Sequence, residues 1–364
     1  MIAVFISARA YEQDFRKFLL GALRADGHEA WHVRVGRRNT LTGADGAETF
    51  DGTIGLLRLI RRLRAIGARG NAVYLDTTGA IMPLRSLLFR FVLRTGVWCF
   101  DVYDNLVYNY SGFRLLKTRA SLRLLCRLSD VTILLSRESL RLFPEAYHLD
   151  NAWDIQRRER DHRVCRDIVV LSAIDERFDF GFLGEAARLL PDRRFVVHGY
   201  ILHDDPAVKQ RMDDLCARQP NVTFKGRYAF GDVPDIVRPF GIGLTPYAAG
   251  TPMTEFINPD KYYLFLQAGL EVISTDIPQA RRMADRVHVA RKPEDVVEIA
   301  RRIEEEATFR KNAAATTDNT WRTRAREFYE ILRVDGLPRT ASLDTSRAIE
   351  PAVSATGSQR RLER

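Results

Sequence analysis

The sequence predicts an α/β protein built from two doubly wound, Rossmann-like parallel sheets that face each other across a cleft. Three observations predict it. Short apolar, β-rich runs such as IAVFIS, NAVYLD, VWCFD and VTILLS alternate with segments whose apolar residues recur at three- and four-residue spacing. The alternation runs through the chain twice, the second time from DIVVLSA to VHVA. A polar, charged stretch, IQRRERDHRVCR, separates the two passes, and 364 residues suit two domains at roughly 150 residues each.

In the first pass IAVFIS and EAWHV read as strands joined by a helix over 11–26. TIGLLRLIRRLRAIG is helical, with Arg58, Arg61, Arg62 and Arg64 beside or opposite its apolar stripe. NAVYLD, VWCFD and VTILLS follow as buried strands, with helices over 83–95 and 114–128 between them. In the second pass DIVVLSA leads to a helix over 179–190, the strand FVVHGY, a helix over 206–217 and the strand NVTFKG. A short helix after Gly231, the strand IGLTPY, a helix over 259–268, EVIST, a helix over 277–285 and VHVA come next, then helices over 293–312 and 318–333. The expected domains are 1–160 and 161–316, with a helix at 317–336 that crosses back to the first domain. A Ser-, Thr- and Arg-rich tail over 337–364 lacks periodicity and is expected to be disordered.

Composition excludes several classes. At 46% hydrophobic, 28% charged and 10% aromatic, the chain is an ordinary globular one. SLLFRFVLRTGVWCF is interrupted by Arg90 and Arg94, so no transmembrane helix is expected, and MIAVFISARAYEQDF reads as a first strand rather than a signal peptide. Cys99, Cys126, Cys165 and Cys216 are scattered without a CxxC pair, which fits a reducing cytoplasm and excludes a disulfide framework or a thiolate zinc site. Residues 1–160 hold 25 Lys+Arg against 16 Asp+Glu, and residues 161–364 hold 31 of each, so the whole +9 charge lies in the first half. That half points to an anionic membrane surface or an anionic substrate. A solvated surface in an Arg-rich sequence is the alternative, and no nucleic-acid recognition module is present.

Ligands of open parallel sheets bind at the carboxyl ends of strands, where helix N-termini favour phosphate. The loop AAGTPMTEFINPDK opens the helix over 259–268, with Pro259 in its first turn and Asn258 as its cap. Lys261 in that first turn opposes the helix dipole unless an anion docks there; a snorkelling surface lysine is the alternative. The chain has no G-x-G-x-x-G after its first strand, no G-x-x-x-x-G-K-[ST] and no G-x-S-x-G, so dinucleotide binding, P-loop hydrolysis and esterase chemistry are not indicated.

Three stretches in succession carry a resemblance: SAIDERFDFGFLGEAARLLPDRRFVVHGY, NVTFKGRYAFGDVPDIVRPFGIGLTPY and NPDKYYLFLQAGLEVISTDIPQARR. In that order and spacing they resemble the GT-B glycosyltransferases of the family-4 type, which use nucleotide-sugar donors. The likeness extends to FDVYDNL, to DNAWD with Asn151 and Asp154, and to the last helix, NTWRTRAREFYEIL. The resemblance implies that Lys261 binds the donor diphosphate, with Arg177 as a second cation. It implies that Gly199, Tyr200 and Tyr228 border the nucleotide base and that Asn258 shapes the approach. It implies a UDP- or GDP-sugar as substrate and no metal or other cofactor. Where the family carries a ribose-binding Glu three positions after the lysine, this chain has Leu264; Glu255 or Gln267 would have to take over that contact. Glu271 stands where the family has Pro.

On the acceptor side, Asp101 and Asp104 follow a strand end and are candidates for the general base of an inverting reaction, as in the similar exopolysaccharide glucuronosyltransferases. Helix capping or a salt bridge to a neighbouring arginine is the alternative for both. Asn105 and Tyr108 are expected to line the acceptor site. The expectation is a cytoplasmic glycosyltransferase, peripheral at the inner face of the plasma membrane, that extends a lipid-linked glycan in bacterial polysaccharide synthesis. The alternative is a GT-B protein that has lost catalysis and serves as a binding or scaffold subunit, which Leu264 motivates.

Overall fold

The structure is a computed structural model and describes residues 1–9, 11, 14, 16–36, 39–51, 54–67, 72–77, 83–93, 96–102, 112–154, 166–305 and 319–333. The first sheet is built by β1 (Ile2–Ser7), β2 (Glu29–Arg34), β3 (Asn39–Thr42), β4 (Ala47–Phe50), β5 (Ala72–Asp76), β6 (Val97–Val102), β7 (Val131–Leu134) and β8 (Tyr147–His148). Between them run α1 (Lys17–Ala25), α2 (Gly55–Ala65), α3 (Pro83–Leu93) and α4 (Gly112–Leu128). The spatial order is β4-β3-β2-β1-β5-β6-β7-β8. All neighbours are parallel except the β3–β4 hairpin and its junction with β2.

The second sheet has β9 (Ile168–Ile174), β10 (Phe195–Ile201), β11 (Val222–Gly226), β12 (Ile242–Thr245), β13 (Glu271–Thr275) and β14 (Val287–Ala290), ordered β11-β10-β9-β12-β13-β14. Its helices are α5 (Phe180–Leu189), α6 (Pro206–Arg218), α7 (Val233–Val237), α8 (Pro252–Glu255), α9 (Asp260–Gln267), α10 (Pro278–Arg282) and α11 (Pro293–Glu305). Strand order reverses at β1 in the first sheet and at β9 in the second. The reversal makes the carboxyl ends of β9 and β12 the expected ligand crevice of the second sheet.

The sequence fits these elements locally. The buried strands are continuous apolar runs, as a sheet covered on both faces requires. Asp179 and Asp205 cap α5 and α6, each accepting a backbone N–H bond. The hairpin β3–β4 is absent from the sequence-based expectation. Helices expected at 11–26 and 318–333 are described as α1 and α12 (Trp321–Arg333). The expected boundary at residue 160 and the tail over 337–364 lie outside the described residues.

α12 returns to the first sheet and packs on α1. Trp321 stacks on Phe18 at 6.1 Å ring spacing, Trp153 lies tilted against the same ring at 5.7 Å, and Tyr329 meets His28 at 4.8 Å. One core joins the two sheets. It runs from Leu19, Leu20 and Leu23 of α1, through Trp153, Trp321 and Phe328, to the buried residues of α9. A separate core on the opposite face of the first sheet is supplied by α2, α3 and α4.

Candidate functional site

At the carboxyl ends of β9 and β12, two loops are stitched together. Ala248 N–H donates to the Arg177 carbonyl at 2.7 Å, Asp179 N–H to the Pro246 carbonyl at 2.9 Å, and Phe178 and Tyr247 form a β-bridge. α9 begins beside them. Its first turn holds Lys261, whose side chain is only 12% exposed and whose Nζ lies 2.5 Å from an Asp260 carboxylate oxygen. The ammonium also donates to the Tyr228 hydroxyl and lies 5.9 Å from the ring of Trp153, in the segment that joins the two sheets. Burial works against the charge, but Asp260, Tyr228 and Tyr247 outweigh it and hold the Lys261 pKa above the ordinary lysine value. Burial raises the phenols of Tyr228 and Tyr247 as well. A fixed cation at a helix N-terminus, part-neutralised by a single carboxylate, is a place where an incoming anion can compete with Asp260.

The other residues expected around the donor are placed variously. Arg177 is clasped by the Asp175 carboxylate at 2.5–3.1 Å, so its charge is already matched. Tyr228 meets His198 edge-on at 6.4 Å and contacts Lys261. Tyr200 is 41% exposed beneath the Arg227 guanidinium at 5.3 Å. Gly199 is required by strand packing: a Cβ there would stand 2.0 Å from the Ser172 carbonyl oxygen of β9, so no side chain fits. Glu255, at the end of α8, reaches Arg141 at 3.4 Å across the joint between the sheets.

Two expectations are corrected here. Asn258 does not cap α9: the cap position is Pro259, which has no side-chain acceptor to offer. The Asn258 amide instead donates to the Leu135 carbonyl and to Asp150, both at 2.8 Å, while its oxygen accepts from Tyr263 and its own carbonyl accepts from Asn151 at 3.0 Å. It is a bolt between the sheets, and Asp150, accepting from Tyr263 as well, is the other half of it. Asp101 does not open into a cleft. It is buried, and both carboxylate oxygens accept from Arg16, at 2.7 and 3.0 Å. That is the salt-bridge alternative, with an arginine 85 positions away in place of a neighbouring one. Asp104, Asn105 and Tyr108 lie outside the described residues.

Leu264 is wholly buried in the core that joins the sheets, and Gln267, expected to replace the family's ribose contact, is only 7% exposed. The motifs gave no sign of a second pair at the carboxyl ends of β1 and β2. His32 Nε2 lies 3.1 Å from Asp14, which also accepts from Ser7 and from the Arg16 backbone. Burial raises the Asp14 pKa, and these bonds more than reverse that, leaving it below the ordinary carboxylate value. The one available signal was an Asp in the loop after the first strand, eighteen residues before a strand histidine. Concavities of about 540 Å³ beside His288 and Arg302, and about 640 Å³ between α1 and α12, lie apart from Lys261. Among the described residues no cluster of His, Cys, Asp or Glu could hold a metal ion, and no helix is long and apolar enough to cross a membrane.

Two Rossmann-like sheets and a C-terminal helix that returns to the first define the GT-B fold. Solved structures agree. The chain is similar to the Anabaena protein HepE, solved with UDP and glucose, at 12% identity and a TM-score of 0.64 over 91% of this chain and 99% of that one. It is similar to an alpha-glucosyltransferase solved with UDP and a 13-mer DNA, at 11% identity and 0.61 over 92% and 99%. AviGT4, a glycosyltransferase of avilamycin A biosynthesis, gives 14% and 0.58 over 91% and 97%. Among curated proteins, "Putative teichuronic acid biosynthesis glycosyltransferase TuaH" of Bacillus subtilis (strain 168) is 29% identical over 113 residues, 31% of this chain. The match spans about a quarter of that protein, 27% of its length. No family model matches.

Proposed function

We propose that this chain is a glycosyltransferase that moves a sugar from a nucleoside diphosphate-sugar to a glycan acceptor carried on a lipid. The observation that carries the reading is the buried Lys261 ammonium at the N-terminus of α9, inside a GT-B fold. As the glycosidic bond to the donor breaks, negative charge grows on the diphosphate. A preorganised cation and helix N–H groups offset that charge without reorganisation. In this mechanism Lys261 leaves Asp260 for the donor phosphates and no metal is needed. Tyr228 holds the ammonium in place, and Glu255 borders the sugar side of the nucleotide. With Asp101 committed to Arg16, the other strand-end aspartate, Asp104, serves as the base of an inverting reaction, and Asn105 and Tyr108 orient the acceptor. The teichuronic acid relative supports polysaccharide synthesis as the setting. Incubation with a panel of UDP- and GDP-sugars, with released nucleotide as the readout, tests the reading; turnover of at least one donor is expected, and none would defeat it.

One observation favours a second reading, a binding or scaffold subunit that has lost catalysis. Leu264 is fully buried at the position where the sequence resemblance implies a carboxylate for the ribose. A charge-assisted hydrogen bond is worth about 1.5–3 kcal/mol, so losing it weakens the donor about 10- to 100-fold. Thermal stabilisation by UDP or GDP separates the two readings.

A further inference from the structure

We infer that the outer face of α3 and α4 is a docking surface for an anionic lipid bilayer. The inference goes beyond the donor site and stands on this surface alone. Among the described residues, nine of the twelve large hydrophobic side chains exposed to solvent, from Ile54 to Leu128, lie on or at the ends of α2, α3 and α4. They form stripes. On α3, Leu84, Leu88 and Phe91 recur at four- and three-residue spacing and face solvent, with Leu84 81% and Phe91 69% exposed, while Ser86, Phe89 and Leu93 face the sheet. On α4, Phe113, Leu116 and Leu124 share one face, with Phe113 80% exposed, and Leu122 and Leu125 face the sheet. A surface helix ordinarily turns its apolar side to the core and its polar side to water. These two expose large apolar side chains on the solvent side as well.

Charge selects the occupant. α2, α3 and α4 carry eleven cations and no acidic residue: four arginines on α2, Arg85 and Arg90 on α3, and Arg114, Lys117, Arg119, Arg123 and Arg127 on α4. The acids flanking these helices are partly spoken for, Glu48 by Arg62 and Asp130 by Arg90. On α4 the cations alternate with the exposed apolar side chains instead of forming a separate stripe. Leucines and phenylalanines between arginines match the boundary between anionic headgroups and acyl chains, where both kinds of side chain find partners. A nucleic acid would use the cations and leave the leucines in water. Because all three helices pack on one face of the first sheet, they share the same side of the molecule.

The test is co-sedimentation of the full chain with vesicles of phosphatidylcholine and of phosphatidylcholine with phosphatidylglycerol at three to one. Preferential binding to the anionic vesicles is expected, falling as salt rises from about 50 to about 500 mM. The triple variant Arg119→Gln, Arg123→Gln and Arg127→Gln should lower partition about a hundredfold. The double variant Phe91→Ser and Phe113→Ser should lower it at high salt too. Both change exposed positions, and an unchanged melting temperature shows that they are folded. Equal binding to the two vesicle types, or variants that bind like the wild type, would overturn the inference. So would a dimer, detected by light scattering and dissolved by the double variant, because the face would then belong to a second copy. Donor turnover without vesicles is expected to be unchanged in both variants, so failure of the lipid surface and failure of the donor reading are separate outcomes.

Discussion

Replacing Leu264 with glutamate asks whether this position faces a ligand or the core. The structure buries Leu264 completely, in a stretch of α9 where every residue from Tyr262 to Gln267 is buried. Losing the apolar burial of a leucine costs about 1.5–3 kcal/mol. A carboxylate without a partner cannot stay charged there and takes up a proton; for a carboxyl of ordinary pKa that costs about 4 kcal/mol at pH 7 and about 1 kcal/mol at pH 5. The sum is about 5–7 kcal/mol at pH 7 and about 3–4 kcal/mol at pH 5. The introduced carboxyl has a raised pKa in the folded state, so its destabilisation grows as pH rises. At about 2–4 °C per kcal/mol for a unit of this size, Leu264→Glu should melt about 10–25 °C below the wild type at pH 7, and less far below it at pH 5. Scanning fluorimetry at both pH values, with and without UDP, measures this. A melting temperature within about 2 °C of wild type together with tighter UDP binding would refute the reasoning, because the side chain would then face the donor.

Other consequences are as direct. Asp101→Asn strands the buried Arg16 charge and should cost about 3–5 kcal/mol, while turnover per folded molecule stays within about threefold; a loss of a hundredfold or more in the folded fraction would restore Asp101 as the base. Asn258→Ala removes bonds to Leu135 and Asp150 and should lower stability by about 1–3 kcal/mol, read as a shifted urea midpoint; an unchanged midpoint would mean that the bolt is idle. Asp14 and Asp150 have depressed pKa values: burial alone would raise each, but His32 with Ser7, and His148 with Arg324, outweigh it. Their contribution is present above the ordinary carboxyl pKa of 3.8 and is lost as pH falls below it, so melting temperature should drop steeply from about pH 4 downward. The Asp150→Asn variant should show a shallower acid limb, and an identical limb would contradict the assignment.

The strands were legible because each is a short apolar run that a covered sheet demands, and the loop after IGLTPY was legible as a helix start. The β3–β4 hairpin was missed although LTGADGAETF carries turn glycines. Its strands are four residues long, and β4 is mostly exposed, so the alternation is too brief to read. Asn258 looked like a cap because an Asn before Pro at a helix start ordinarily is one. Its real partners, Leu135 and Asp150, are more than a hundred positions away and on the other sheet. Asp101 has the same history: a strand-end aspartate suggests chemistry until Arg16 is seen beside it. Gly199 is explained by the carbonyl of Ser172, which only the parallel register of β9 and β10 brings near. Local pattern carries element type, whereas the partners of a polar side chain are set by topology.

The central claim is that Lys261 at the start of α9 holds the donor diphosphate. Titration of the wild type and of Lys261→Ala with UDP and GDP, followed by donor turnover on the same preparations, tests it most directly. The account predicts saturable binding of one nucleotide by the wild type, binding at least about tenfold weaker in the variant and turnover lower by about a hundredfold, the size of one lost electrostatic contact to the transition state. The variant should keep its fold by circular dichroism. A Lys261→Ala protein that binds nucleotide and turns over donor like the wild type would contradict the claim.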